Sequence, residues 1–264
     1  MRKHGTSITC FFGMDGFDRN LKIKENFFRS CCEFLQMVRV GLFLPRCRNC
    51  GLDLVLAEEM VICRNCRKKI VPAAENQCRI CGKFVAQGIE SCGSCLLRPP
   101  PYLRHISYAA YEGTLREIII LYKYGEVEPL KIFLAGLYLD IIMRNHFPAF
   151  DAVVPVPADS GRRHGFQPVR TMSRILANHL EIEFMPRLLL KKKRTPPQVG
   201  LSQAQRKTNL DGAFSLVAGK KPAGLHILLI DDVTTTGTTI KKCAAVLKKG
   251  GARVTALTLA QSCF

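Results

Sequence analysis

The sequence predicts an α/β protein, a parallel sheet flanked by helices, preceded by a small cysteine-rich module. Three observations predict it. Eight of the 13 cysteines fall in four C-x-x-C pairs between residues 47 and 95. From residue 102 onward, apolar runs of strand length alternate with stretches whose apolar residues recur at helical spacing. Between the two regions, Arg98-Pro99-Pro100-Pro101 resists both helix and ladder pairing and reads as a stiff connector.

The chain has 264 residues, room for one mid-sized domain and a smaller one. With 47% hydrophobic and 23% charged residues, disordered and collagen-like chains are excluded. Lys and Arg number 39 against 21 for Asp and Glu, a net charge of +18 that favours acidic partners: nucleic acid, phosphate esters or an anionic membrane. The first 100 residues carry 16 basic and 9 acidic groups and the rest 23 and 12, so neither half is a basic tail. No apolar run approaches the roughly 18 residues that cross a bilayer. Met1 to Asn20 lacks the apolar stretch of a secretory signal, and the expectation is a cytoplasmic protein.

Three regions follow in order. In the extension 1–45, Phe27, Phe28, Cys31, Cys32, Phe34, Leu35 and Val38 predict one amphipathic helix from about Lys24 to Gly41, packing on the body of the protein or touching a membrane surface or partner. Region 46–98 holds the pairs Cys47/Cys50, Cys63/Cys66, Cys78/Cys81 and Cys92/Cys95. An odd cysteine count without an export signal argues against a disulfide framework. A C-x-x-C turn points two thiolates at one ion, and two such turns complete the S₄ shell that structural zinc prefers. Redox dithiols and an iron–sulfur cluster are the competing readings.

Four pairs make two zinc sites. Cys47-Arg48-Asn49-Cys50-Gly51 recurs 31 residues on as Cys78-Arg79-Ile80-Cys81-Gly82, which suggests that Cys47, Cys50, Cys63 and Cys66 hold one ion and Cys78, Cys81, Cys92 and Cys95 the other. Crossed pairing stays open. Eight thiolates and two Zn²⁺ lower the formal charge to about +14. An S₄ shell has no open position for catalysis, so the module either staples a segment too small for its own core or docks DNA or a partner.

In region 102–264, His105 to Tyr111 reads as a strand, and Leu115, Ile118, Ile119 and Tyr122 as a helix stripe. A second helix spans about Pro129 to His146. Asp151 to Pro155 is a buried strand, followed by the basic turn Gly161-Arg162-Arg163-His164-Gly165 and a helix to about Leu180. Leu225 to Ile230 is another buried strand, Thr238 to Lys249 a helix stopped by Gly250, and Arg253 to Leu259 the last strand.

The chemistry is concentrated in Asp231-Asp232-Val233-Thr234-Thr235-Thr236-Gly237-Thr238-Thr239. An apolar strand delivers two acids to the open edge of the sheet, outside its core, and a Thr-rich loop then opens directly into a helix. Helix N-termini favour anions, Gly237 permits a tight turn, and Thr hydroxyls add donors, which suits a phosphomonoester. Two carboxylates beside that cradle would repel it unless they face sugar hydroxyls or a divalent cation, so a sugar phosphate with Mg²⁺ is the natural ligand. The bland alternative is a Thr run that caps a helix. Capping requires one Thr, not five. The absence of G-x-x-x-x-G-K-[ST] and G-x-G-x-x-G argues against a P-loop or a dinucleotide site.

This pattern of hydrophobic strand, two acids, an apolar residue and a Thr-Thr-Gly-x-Thr loop resembles the type I phosphoribosyltransferases, which bind phosphoribosyl pyrophosphate (PRPP). Joined to a double zinc ribbon, it resembles more narrowly the ComF family of competence-associated proteins, over roughly residues 40–264. Further matches are Tyr111-x-Gly113 with Leu115-Arg116 and Lys123, Val154-Pro155-Val156-Pro157, Arg162-Arg163-x-Gly165-Phe166, and Arg194-Thr195 with Gln198. The family usually continues its basic turn as Arg-Gly-Phe-Asn-Gln, where this chain has His164-Gly165-Phe166-Gln167-Pro168.

The resemblance implies a type I phosphoribosyltransferase fold. Thr234, Thr235, Thr236, Gly237, Thr238 and Thr239 would bind the 5′-phosphate, and Asp231 and Asp232, the catalytic pair, the ribose hydroxyls or hydrated Mg²⁺. Arg162 and Arg163 would bind pyrophosphate, or form a solvated basic turn. Lys191 to Gln198, with Arg194, Thr195 and Gln198, would form a mobile loop over PRPP, or a solvated surface. Lys123 reads either as a surface lysine or as a site residue, and residues 101–130 as the acceptor hood. Implied roles are a phosphoribosyltransferase of unidentified acceptor, or a non-catalytic factor binding nucleotide or single-stranded DNA. DNA-uptake proteins are the implied partners.

Overall fold

A computed structural model describes residues 45–54, 61–73, 77–158, 166–192 and 212–262. The helix expected at 24–41, the basic turn with Arg162 and Arg163, and Arg194, Thr195 and Gln198 lie outside these residues.

The two halves of the cysteine module fold alike, as their repeat implies. In the first, Cys47 N–H donates to Leu52 O at 2.7 Å and Gly51 N–H to Cys47 O at 2.9 Å; in the second, Cys78 N–H donates to Lys83 O at 2.8 Å and Gly82 N–H to Cys78 O at 2.8 Å. Gly51 and Gly82 stand at φ +75° and +67°, the left-handed turn that closes each knuckle and that a side chain would strain. The second pair of each half opens a short helix, α1 (Arg64–Lys68) after Cys63 and α2 (Gly93–Leu97) after Cys92.

The remaining described elements are β1 (Arg104–Ala110), α3 (Gly113–Tyr124), α4 (Leu130–Arg144), β2 (Ala152–Pro155), α5 (Pro168–His179), β3 (Glu183–Phe184), β4 (Leu189–Lys191), β5 (Phe214–Leu216), β6 (His226–Thr234), α6 (Thr238–Lys249) and β7 (Arg253–Gln261). Five strands form one parallel sheet in the order β1-β7-β6-β2-β3, and β4 and β5 form an antiparallel pair. The central strands read as continuous apolar runs because both faces are covered. Leu228 and Ile230 of β6 face a core shared with α3, α4 and α5, while Ile227 and Leu229 face one shared with α6 and the β4–β5 pair.

Three expectations change. The strand expected to end at Ile230 runs to Thr234, because β7 pairs alongside it as far as Thr234↔Gln261. The hood expected from residues 101–130 is not built from 104–110, which form the edge strand of the main sheet on β7. Lys191, expected to open a loop, closes β4 opposite Phe214. The short strands β3, β4 and β5 carry too few residues to show a period.

Edge strand β1 is covered by the cysteine module. His105 N–H donates to Ile80 O at 2.8 Å, and Ala73 N–H donates to Tyr108 O at 2.6 Å. Gln77 Nε2 donates to Ser107 O at 3.5 Å. Cys47, Leu54, Ile62 and Ile70 join the core on one face of the sheet, and Ile80 and Cys81 pack on the other. The two ribbons straddle an edge that would otherwise present unpaired backbone to other chains.

Candidate functional site

Each cysteine quartet places its four sulfurs within 4.8 Å of one another, with the sequence-nearest pairing. A zinc tetrahedron with Zn–S of about 2.3 Å needs sulfurs about 3.8 Å apart. Cys50 Sγ lies 3.6 Å from Cys63 Sγ, and Cys81 Sγ 3.7 Å from Cys92 Sγ. Burial works against the Cys47 thiolate, but N–H groups of Cys63, Cys50 and Asn49 outweigh it and draw the thiol down to about 6. Burial, with the neighbouring thiols, pushes Cys66 up to about 12 despite its Asn49 hydrogen bond. Four crowded thiols ionise together only around a cation, and the donor set fits zinc. The double zinc ribbon is a structural zinc module.

The second site lies at the carboxyl ends of β2 and β6, which pair directly. After β2 the chain continues into α5 on one face of the sheet; after β6 it enters α6 on the other. Neighbouring strands whose helices leave to opposite faces open a crevice between them, the usual ligand position of such sheets. Here it is a cleft of about 160 Å³ lined by Pro155 to Ala158, the start of α5, Asp231, Asp232 and Thr239.

The loop entering α6 starts the helix on a glycine. Gly237 is the N-cap residue at φ +71°, and no side chain caps the helix there. Thr236 and Thr238 hydrogen-bond each other through their hydroxyls at 2.8 Å, and Lys241 N–H closes the first turn on Gly237 O at 2.9 Å. First-turn N–H groups with no capping side chain, together with the dipole of a 12-residue helix, favour a phosphate.

Successive strand residues face opposite ways, and the two acids diverge. Asp232 turns toward α3, where Lys123 Nζ lies 2.7 Å from its Oδ2. Asp231 turns toward α6, where burial and then the Asp231 charge push the Cys243 thiol far up. Asp231 Oδ1 accepts from Asp232 N–H at 2.9 Å, and the Asp231 carbonyl accepts from Tyr138 O–H at 2.6 Å. Burial and the two acids keep the Tyr138 phenol protonated.

The expectation that both acids lie outside the core is corrected. Asp232 is 5% exposed and joined to Lys123, because the β7 ladder carries the strand past Ile230. Of the expected site, the cleft gathers Asp231, Asp232 and Thr239, with the rest of the Thr loop leading into the same helix. Tyr138 carried no sequence signal. Lys123 did, as part of the family pattern Tyr111-x-Gly113 with Leu115-Arg116 and Lys123.

A double zinc ribbon domain matches residues 40–96, and a phosphoribosyl transferase domain matches residues 161–262. The DNA utilization protein YhgH of Salmonella typhi is 31% identical over 212 residues, 78% of this chain and 92% of the relative. Competence protein F of Haemophilus influenzae is 30% identical over 219 residues, 80% and 94% of the two chains. Among solved structures, an adenine phosphoribosyltransferase from Trypanosoma brucei aligns over 53% of this chain and 68% of its own, at 12% identity and a TM-score of 0.35. Among the described residues, no helix is long and apolar enough to cross a membrane.

Proposed function

The chain belongs to the ComF family, with a double zinc ribbon and a phosphoribosyltransferase domain, and from that premise we propose that its cleft binds PRPP with Mg²⁺ in the service of DNA uptake during competence. The observation that carries the reading is the pairing of Asp231 and Asp232 with the uncapped, Thr-rich N-terminus of α6 in one cleft between β2 and β6.

In this reading the N–H groups and hydroxyls of Thr235 to Thr239 hold the 5′-phosphate, and Asp231 takes a ribose hydroxyl or a water of the metal. Loss of pyrophosphate from C1 leaves positive charge on the sugar, which the carboxylate of Asp231 favours, with Asp232 held on Lys123 beside it. No covalent nucleophile is needed. Arg162 and Arg163 hold the departing pyrophosphate. Mg²⁺, when bound, neutralises that leaving group, and an oxygen-rich site suits it. Turnover would make the protein a pentosyl transferase, and a module that needs reduced thiolates supports a cytoplasmic setting.

A second reading is favoured by the net charge of +18: the cleft binds PRPP or nucleotide without turnover while basic surface takes single-stranded DNA. Two measurements test these. Calorimetry should show PRPP binding only with Mg²⁺, lost in Asp231→Asn; equal binding by that variant overturns the site. Pyrophosphate release across a panel of bases and amines, with and without single-stranded DNA, separates transferase from binding factor.

A further inference from the structure

The pair Lys123–Asp232 exceeds what an acidic sugar or metal site requires. Lys123 Nζ is 2.7 Å from Asp232 Oδ2, and the two side chains are only 13% and 7% exposed. Asp232 Oδ1 accepts from Val233 N–H at 2.7 Å, so both of its oxygens are engaged by the protein. The end of α3 is held in place: Tyr122 packs edge-on against Phe166, with ring centroids 5.3 Å apart, and donates to Pro168 O at 3.4 Å. Gly125 ends the helix, and a Cβ there would meet Leu121 O at 2.8 Å. Lys123 is thus fixed over the strand by packing on both sides of it in sequence.

A carboxylate left unpaired at a cleft draws hard divalent cations. We propose that Lys123 is a positioning residue, the built-in counter-cation of Asp232, which prevents this carboxylate from drawing a divalent ion before substrate arrives. The divalent ion then enters on the phosphates of PRPP, and Asp232 keeps its orientation whether or not ligand is present. This rests on the reading of the cleft as a PRPP site.

The test uses the full-length, zinc-loaded protein, with Mn²⁺ followed by electron paramagnetic resonance in the absence of PRPP. The parent should bind Mn²⁺ only weakly. Lys123→Met should bind it at least about tenfold more tightly, because the opposing charge 2.7 Å from the carboxylate is gone. Adding Asp232→Asn to that variant should abolish the gain. Lys123→Gln, which can still hydrogen-bond Asp232, should gain as Lys123→Met does and replaces it if the methionine variant fails to fold. Unchanged Mn²⁺ affinity in a folded Met or Gln variant overturns the proposal, since a purely structural lysine would alter melting temperature alone. PRPP titration of the parent is scored separately: failure there removes the PRPP reading, while the Mn²⁺ result still decides the role of Lys123.

Discussion

His105 joins the second zinc knuckle to the sheet: its Nδ1 lies 3.1 Å from the carbonyl oxygen of Cys81, and its Nε2 lies 3.1 Å from Thr258 Oγ1. A carbonyl only accepts, so Nδ1 carries the hydrogen and Nε2 accepts from the Thr258 hydroxyl, which in turn lies 2.7 Å from Ser107 Oγ. Burial, the largest cause, pulls the imidazole down to about 4 although the Cys81 carbonyl opposes it.

Stability should therefore depend on pH through His105. Its folded value of about 4 lies below the ordinary 6.5, so the unfolded chain binds more protons between these limits. The contribution is complete above pH 6.5 and shrinks as pH falls toward 4, by up to about 3 kcal/mol. Denaturant melts at pH 8 and pH 5 should show a larger loss for the parent than for His105→Gln. Equal losses would remove His105 from this role.

Metal analysis should find two zinc ions per chain, with Cys10, Cys31, Cys32, Cys243 and Cys263 outside both sites. Because the ribbons cover β1, chelation should raise hydrogen exchange along Arg104–Ala110 as well as in the ribbons. One zinc per chain, or chelation that leaves β1 protected, would contradict this.

Gly237 should tolerate bulk better than it tolerates L-residue backbone. A Cβ there meets only Thr234 Oγ1, at 3.9 Å, so the obstacle is φ +71°, which costs a β-branched residue about 1–2 kcal/mol. Calorimetry should find PRPP binding weakened more by Gly237→Val than by Gly237→Asn, since Asn visits the left-handed region. The reverse order would point to crowding by side-chain size.

Breaking the buried pair should cost stability. Lys123→Met leaves Asp232 uncompensated, at roughly 3 kcal/mol by urea denaturation. The double variant Lys123→Met/Asp232→Asn should recover most of it. A single variant as stable as the parent would show that the pair is hydrated in solution.

Single-stranded DNA should bind with an affinity that falls as salt rises, as Lys and Arg displace counterions from phosphates. The net charge of +18 motivates it. Filter binding that is absent at low salt, or indifferent to salt, would reduce the charge to a solubility feature.

The sequence alone determined what depends on local pattern. The four C-x-x-C pairs specified two metal sites and their 31-residue repeat suggested the grouping that the folded quartets show, since a knuckle is closed by five consecutive residues, the last a glycine. The apolar runs around Val153 and Leu228, the Thr-rich loop and Gly237 placed a turn and a helix start directly after a buried strand, because strand, turn and helix start are short-range preferences. Tertiary structure alone decided the rest. That Asp232 is buried while Asp231 faces α6 follows from the β7 ladder extending β6 to Thr234, a pairing across 27 residues. Lys123 meets Asp232 across 109 residues of chain, and Cys81 meets His105 over the edge of the sheet. Such partners are chosen by packing on the two faces of the sheet, and neither periodicity nor spacing records them.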